Sequence, residues 1–109
     1  MLASLLGSLS SERILLYLAA RQEGYAREMA RFYQTSVTPI QKQLEKLAAA
    51  GILCSRDVGR TRLYTFDPRY PFKAELEALL HKALSFYPAQ EQEALLLNRR
   101  RPRRPGKPL

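Results

Sequence analysis

The chain has 109 residues, and its 18 lysines and arginines against 10 aspartates and glutamates give a formal net charge of +8. This length predicts one domain with a modest core that a second subunit often completes, and no apolar run reaches the roughly 18 residues that cross a bilayer. A single cysteine and a single histidine exclude an internal disulfide and a zinc cluster, so neither a metal nor a cofactor is expected.

The first six residues form a short apolar segment that ends at Gly7. The segment lacks the basic region and the cleavage site of a signal peptide, so a cytoplasmic location without membrane contact is expected. Its leucines suit one amphipathic turn that packs on another surface. We expect this turn to contribute to a dimer interface through Leu2, Leu5 and Leu6.

A supporting helix is predicted next. Residues 8 to 11 supply capping side chains, and apolar residues then recur at helical intervals to about Arg21, namely Ile14, Leu15, Leu18 and Ala19. The short segment Glu23-Gly24-Tyr25 is interpreted as a strand at the edge of a small sheet.

The stretch from Tyr25 to Ile52 contains two helical patterns separated by a tight turn. In the first, from Ala26 to Tyr33, apolar side chains recur at helical spacing. Residues 34 to 36 are turn and cap formers, and the Ser36 hydroxyl is predicted to accept amide protons at the start of the second helix.

The second helix tolerates Pro39 in its first turn, because the N–H that proline lacks has no intrahelical partner there. It is predicted to run to Ala50 and to end at Gly51. Its apolar stripe consists of Ile40, Leu44 and Leu47. The opposite face is polar and comprises Thr38, Lys42, Glu45 and Ala49, with Gln41 and Lys46 on the flank. Taken alone, this pattern fits either a helix-turn-helix or an ordinary helical hairpin.

A β-hairpin is predicted after Gly51, with strands over residues 52–57 and 61–66 joined by a turn at residues 58–60. Its exposed positions gather Arg56, Arg60 and Arg62 around the tip. This placement suits contact with a phosphate backbone or a minor groove. The alternative is that basic side chains only discourage aggregation at a sheet edge.

The C-terminal third contains two further helical patterns. From Phe72 to Pro88 a wide apolar stripe comprises Leu76, Leu79, Leu80, Ala83, Leu84 and Tyr87, and a last short helix is predicted to carry three leucines up to a stop at Asn98. The stripe is wider than one small core requires, so part of it is expected to meet a second subunit. The predicted homodimer interface uses Leu76, Leu80, Leu84 and Tyr87 together with the N-terminal leucines.

Most of the excess charge lies at the C-terminal end of the chain. Residues 99–109 hold six basic residues and no acidic one, which leaves a net charge of +2 for the rest. This segment has no apolar residue before Leu109 to offset the entropy of ordering, so a disordered basic tail is predicted.

The order of these elements resembles a known family. The segments Ser36-Val37-Thr38-Pro39-Ile40-Gln41-Lys42-Gln43-Leu44-Glu45-Lys46-Leu47, Ala50-Gly51-Ile52-Leu53 and Gly59-Arg60-Thr61-Arg62-Leu63-Tyr64 resemble the small ArsR-type and MarR-type winged helix-turn-helix transcriptional regulators of prokaryotes. The resemblance covers roughly residues 8 to 70. The predicted fold is therefore mainly α with a small β-hairpin, and the predicted domains are a DNA-binding winged helix over 1–70, dimerisation helices over 71–98 and a tail over 99–109.

The resemblance implies a homodimer that binds double-stranded DNA at pseudo-palindromic operators. A repressor associated with the nucleoid is expected, and the sequence leaves open whether binding represses or activates. Carried over to this chain, the contacts from the helix are Ser36, Thr38, Pro39, Gln41 and Lys42, and those from the wing are Arg60 and Arg62. The positions of Lys46 and Arg56 add both residues to the predicted DNA-binding set. Metal-sensing members carry paired cysteines near this motif, whereas this chain has only Cys54, so metal sensing is not implied.

Two other functions fit the sequence. A winged helix also serves as a protein docking module, and a basic tail supports RNA binding or nonspecific nucleic-acid binding. An enzyme is not expected, because no nucleophile with a base, no paired carboxylates and no phosphate-binding glycine loop occur. Cys54 is interpreted as a small strand residue, and His81 as a solvated or hydrogen-bonded side chain. No effector ligand is identified.

Overall fold

The structure is a computed structural model that describes residues 1–97. Its elements in chain order are α1 (Ala3–Leu6), α2 (Leu9–Arg21), β1 (Glu23–Tyr25), α3 (Ala26–Tyr33), α4 (Val37–Ala49), β2 (Leu53–Val58), β3 (Thr61–Phe66), α5 (Lys73–Leu84) and α6 (Ala89–Leu97). The predicted stop at Asn98 and the predicted tail over 99–109 lie outside the described residues.

Helix α2 forms the centre of the core. The Ser8 hydroxyl accepts a hydrogen bond from the Ser11 amide at 3.0 Å, which begins the helix as predicted. From Ile14 onward nearly every side chain of α2 is buried, because α1, α4, α5 and α6 all pack around it. Such burial on all sides stabilises the fold mainly by removing apolar area from water.

The sheet has three antiparallel strands in the order β1-β3-β2. The predicted edge strand at residues 23–25 is confirmed, with Gly24 opposite Tyr64. Glycine is required at this position, since a Cβ on Gly24 would lie 2.7 Å from the Tyr17 ring and 3.1 Å from the end of Met29. Strand β1 therefore lies directly against α2 and α3.

Helices α3 and α4 form the predicted helix-turn-helix. Helix α3 has the predicted bounds, and the turn places Gln34 at φ 54°, in the left-handed region. Ser36 precedes α4 at the cap position, but its hydroxyl makes no capping hydrogen bond, so that prediction is wrong. Pro39 contributes to this outcome, because it occupies the third helical position and lacks one of the two N–H groups that a cap hydroxyl can bond.

The end of α4 uses Gly51 as predicted. The Gly51 amide donates to the Ala48 carbonyl and the Ile52 amide to the Leu47 carbonyl, both at 3.0 Å, while Gly51 has φ 82°. These two bonds with a left-handed glycine define a Schellman motif. Because Ile52 completes the helix end, β2 begins at Leu53 rather than at Ile52.

Helices α5 and α6 cover α2. Leu80 and Ala83 of α5 and Leu95 of α6 are buried in the core, whereas Leu79 is 37% exposed. Leu80 is 0% exposed, so its predicted place in a dimer interface is wrong. The apolar stripe is so wide that the sequence did not predict which leucine faces the chain's own core. In the structure, Leu80 is the one that packs against α2. None of the helices described in residues 1–97 is long and apolar enough to span a membrane.

Candidate nucleic-acid interface

An open groove of about 510 Å³ separates α4 from the β2–β3 hairpin, and we call it the α4–hairpin groove. One wall is a stripe of α4 formed by Val37, Gln41 and Glu45, and the facing wall carries Arg60 and Arg62. Residues four apart lie above one another on a helix, so these three α4 side chains share a single face. The groove thus brings the amide and carboxylate of α4 close to the guanidinium groups of the hairpin.

The inward side of α4 fixes its rotation. Ile40 and Leu44 are 1% and 0% exposed, and Leu47 is buried behind them. Turning α4 would bring these side chains into water, at a cost of roughly 1.5 to 3 kcal/mol for each large apolar side chain. Packing of the predicted apolar stripe in the core therefore keeps the opposite face of α4 exposed to solvent.

The hairpin ends in a tight turn that projects Arg60. Gly59 has φ 61°, in the left-handed region, and the Thr61 hydroxyl donates to the Val58 carbonyl at 2.9 Å. Behind the turn, Arg62 Nε lies 3.5 Å from the Asp57 carboxylate, and both side chains are exposed. A surface pair of this kind contributes about 0 to 1 kcal/mol to stability, so Asp57 orients Arg62 more than it holds the fold.

Exposed cations of α3, α4 and the hairpin lack ion-pair partners among the described residues, and we call this set the basic face; two of them, Arg27 and Arg60, line the groove. Within the part of the chain that the structure describes, its members make no salt bridge, and they are Arg27, Arg31, Lys42, Lys46, Arg56 and Arg60. By contrast, Arg69 pairs with Asp67 and Lys73 with Glu77. Charges left unneutralised on one surface attract anions.

All nine predicted DNA-binding residues are exposed. The structure brings Gln41, Arg60 and Arg62 into one groove. Of the rest, Ser36, Thr38 and Pro39 lie at the start of α4, Lys42 and Lys46 along its outer side, and Arg56 on β2.

Sequence reasoning left Arg27 out of the predicted site. Arg27 lies in the first turn of α3 and lines the α4–hairpin groove. It reaches the groove because β1, directly before α3, pairs with the hairpin strand β3. The proximity of Arg27 to the hairpin follows from the pairing of β1 with β3, and the helical pattern of α3 does not predict it.

The start of α4 exposes further hydrogen-bonding groups. Helices leave their first amide donors without intrahelical partners, and the Ser36 hydroxyl does not satisfy any of them here. The positive end of the helix dipole lies at the same place, and no acidic residue occurs in the first turn to offset it. These groups favour an anion at the N-terminus of α4.

A buried arginine that no sequence pattern indicated connects α2 with α6. Arg21, which is 7% exposed, donates to the Leu95 carbonyl at 2.7 Å, to the Ala94 carbonyl at 3.2 Å and to the Tyr17 hydroxyl at 2.5 Å. Its guanidinium carbon lies 4.4 Å from the centre of the Tyr17 ring and 4.9 Å from that of Phe32. Burial also raises the pKa of Tyr17, which therefore stays a neutral hydroxyl.

A second buried polar group lies on the opposite part of α2. The Glu12 carboxylate accepts a hydrogen bond from the Tyr87 hydroxyl at 2.5 Å and lies 3.3 Å from the N-terminal ammonium of Met1. Burial and the bond to Glu12 raise the pKa of Tyr87. These contacts place the N-terminus beside the junction of α5 and α6.

The remaining reactive side chains have ordinary environments. His81 Nε2 lies 2.9 Å from the Ala19 carbonyl, and Cys54 Sγ lies 4.0 Å from the Phe66 carbonyl on the neighbouring strand. Among residues 1–97, no group of three or more histidine, cysteine, aspartate or glutamate side chains is arranged to hold a metal ion.

A supporting helix, a helix-turn-helix, a β-hairpin and closing helices in this order make up a winged helix-turn-helix. The predicted fold class, mainly α with a small hairpin, is confirmed, and β1 enlarges the hairpin to three strands.

Solved structures share this architecture. An apo double mutant of ZitR from Lactococcus lactis superimposes with a TM-score of 0.54 at 22% identity, over 80% of this chain and 74% of that one. The adhesin competence repressor AdcR from Streptococcus pyogenes gives a TM-score of 0.52 at 18% identity, over 79% and 72%. ZitR is described as a zinc-responsive MarR family member. These structures confirm the predicted winged-helix fold, and the resemblance to the ArsR-type and MarR-type families stays a prediction. No protein-family model and no curated protein matches the sequence.

Proposed function

We propose that this protein is a sequence-specific, double-stranded DNA-binding transcriptional regulator that works as a homodimer. The observation that carries the proposal is the basic face on α3, α4 and the hairpin, of which Arg27 and Arg60 line a groove beside the exposed start of α4. A surface with this charge, next to a helix of the right size for a major groove, fits a nucleic-acid duplex.

In the proposed complex, α4 enters the major groove and the hairpin lies on the neighbouring backbone or minor groove. Gln41 and Lys42 read base edges from the outer side of α4, and Lys46 extends the contact along the helix. Ser36, Thr38 and the amides around Pro39 position a phosphate at the helix start. Arg56, Arg60 and Arg62 contact phosphates from the hairpin, and Arg27 joins them from α3.

The homodimer is proposed to form through the two ends of the chain. Leu5 is 67% exposed and Phe86 is 66% exposed, while the predicted interface residues Leu2, Leu6, Leu76, Leu84 and Tyr87 are half-buried. The Glu12 contacts bring the Met1 end close to the α5–α6 junction that carries Phe86. Large apolar side chains left on one region of a small domain favour a subunit interface.

Two copies related by a two-fold axis would present two α4 helices to successive major grooves, which fits a pseudo-palindromic site. The proposed division of labour keeps 1–70 for DNA binding, with its N-terminal leucines also at the dimer interface, and 71–98 for assembly. The name of AdcR supports a repressor role, and such a regulator would act on the nucleoid in the cytoplasm.

Selection of bound sequences from random duplexes, with excess nonspecific competitor, tests the proposal. We expect a palindromic consensus with half-sites about one helical turn apart, roughly 34 to 36 Å. A protein that retains no duplex under competition would contradict DNA recognition and favour a protein docking module. Binding that disappears on truncation after Asn98, without any consensus, would favour nonspecific binding through the basic tail.

A further inference from the structure

Glu45 is the single acidic side chain on α4, and it lies in the α4–hairpin groove opposite two arginines. We propose that Glu45 is a specificity-determining residue that accepts a hydrogen bond from the N4 amino group of a cytosine in the major groove. This inference rests on the proposed function, and it identifies the base that the groove recognises.

The position of Glu45 is fixed by the core. Glu45 is exposed, whereas its neighbour Leu44 is 0% exposed and Leu47 is buried on the inner side of α4. Rotating α4 to move Glu45 away from the groove would expose both leucines. The carboxylate therefore stays on the same stripe as Gln41, one turn along the helix.

No partner neutralises Glu45 in the free protein. Across residues 1–97 the structure records neither a salt bridge nor a hydrogen bond for its carboxylate. The other carboxylate of the groove, Asp57, already lies 3.5 Å from Arg62 Nε. Among the described residues, Glu45 is thus the carboxylate of the groove that has no partner and is available to a ligand.

An unpaired carboxylate on a surface that receives a polyanion lowers affinity for every duplex, unless it meets a donor. The major groove offers amino donors only on cytosine and adenine. Adenine carries its N7 acceptor beside the N6 donor, and a carboxylate repels that acceptor, whereas cytosine presents its N4 donor alone. The chemistry of the site therefore selects cytosine.

The position of Gln41 relative to Glu45 predicts the spacing between the two bases that they contact. Four residues correspond to about 6 Å along a helix, which is close to two base-pair steps of about 3.4 Å each. Glutamine pairs with adenine through N6 and N7. We expect each half-site to contain an adenine and a cytosine one or two base pairs apart.

The test repeats the sequence selection with Glu45→Ala, Glu45→Gln and the control Glu93→Gln. Glu93 is an exposed carboxylate on α6 that does not line the groove, so its substitution changes the net charge equally. All three substitutions lie at exposed positions, so circular dichroism should show unchanged folding. Titration of the wild-type site and of a duplex with the cytosine pair replaced gives the discrimination factor.

Wild type should prefer cytosine at one position by roughly 5- to 150-fold. Glu45→Ala should lose that preference alone and bind random DNA more tightly, and Glu45→Gln should shift the preference to adenine. The control should keep the wild-type consensus.

An unchanged consensus in both Glu45 variants would overturn the assignment, even if their affinity rose uniformly. A wild type that selects no sequence at all would instead refute the proposed function, and the role of Glu45 with it.

Discussion

Arg21 donates a hydrogen bond from its Nε to the carbonyl oxygen of Leu95 over 2.7 Å, and this bond joins the end of α2 to the last turn of α6. A cation at the C-terminal end of a helix also complements the helix dipole. The contact therefore stabilises α6 against the core by hydrogen bonding and by charge together.

Replacing Arg21 with methionine should lower the free energy of unfolding by about 2 to 4 kcal/mol, because the buried Leu95 carbonyl and the partly buried Ala94 carbonyl lose their donor. Guanidinium denaturation measures the change. The control is Arg31→Met on α3, where the arginine is exposed and unpaired, and there the change should stay within about 0.5 kcal/mol. Equal effects of the two substitutions would contradict a structural role for the Arg21 contacts.

The Glu12 carboxylate should make stability depend on pH. Burial raises its pKa, but the hydrogen bonds from Tyr87 and the Leu2 backbone, with the Met1 ammonium, outweigh burial and lower the pKa below 4.5. A carboxyl group with a lowered pKa in the folded state stabilises the protein above its unfolded pKa and loses that contribution as the pH falls through the folded value.

We therefore expect the stability advantage of wild type over Glu12→Gln to be full at neutral pH and to shrink below pH 4.5. Denaturation curves recorded from neutral to acidic pH would give the difference at each step. Asp67, whose pKa is also lowered, by its bonds to Arg69, is present in both proteins and cancels. A difference that stays constant with pH would refute the assignment.

The predicted DNA-binding residues should divide into those that distinguish the operator from random DNA and those that only attract DNA. Gln41→Ala and Lys42→Ala should reduce the preference for operator over random DNA, by about 1 to 3 kcal/mol if each contacts a base edge. Arg60→Ala should weaken binding to both duplexes alike, since a hairpin contact to phosphate carries no sequence information. Fluorescence anisotropy on the two duplexes measures both quantities.

Lys82→Ala is the matched control for these variants, because Lys82 is an exposed lysine on α5, outside the groove. Its binding should equal that of wild type. If Gln41, Lys42 and Arg60 variants lost equal affinity for both duplexes, α4 would serve only to position the protein on the backbone.

The proposed dimer should depend on the exposed apolar side chains at the two chain ends. Leu5→Glu and Phe86→Glu should each shift the protein from dimer to monomer in sedimentation, because a buried interface does not tolerate an unpaired carboxylate. Val58→Glu is the control, since Val58 is exposed on the hairpin. A wild type that sediments as a monomer at micromolar concentration would rule out this assembly.

Residues 99–109 should add affinity without adding specificity. Truncation after Asn98 removes six positive charges and no residue of the buried core. The slope of log K against log salt should flatten by about 0.9 for each phosphate that the shortened chain no longer neutralises, with the consensus unchanged. Identical slopes would show that the tail does not touch DNA, and a new consensus would show that it reads bases.

Hydrophobic spacing predicted those helices and strands that are determined by residues close together in the sequence. Helix α3 has the predicted bounds because its buried residues, Met29 and Ala30, face inward as the spacing requires, and β3 matches residues 61–66. Strand β2 begins one residue later than predicted, because Ile52 completes the end of α4. That competition between a helix end and a strand is not visible in hydrophobic periodicity.

Contacts between distant segments were not predictable in this way. Arg21 ends α2, and from the local sequence it would be expected to lie in solvent. Its carbonyl partners belong to α6, more than seventy positions later. Leu79 and Leu80 are the same residue type on the same apolar stripe. Packing of α5 against α2 buries Leu80 and leaves Leu79 exposed. The nine predicted DNA contacts are exposed as expected, and their role stays a prediction.

Strand β1 leads into α3 without an intervening residue, and it also pairs with β3 of the hairpin. Helix α3 in turn packs on α4. The hairpin and α4 are thus connected through β1 and α3, which fixes their separation in this structure.

In the proposed complex, the separation of α4 and the hairpin has to match the spacing of two neighbouring DNA grooves, and a duplex with a different spacing has to bend or twist to fit. Base pairs between the two contact points would then affect affinity through their flexibility, with pyrimidine–purine steps favoured, although no side chain touches them.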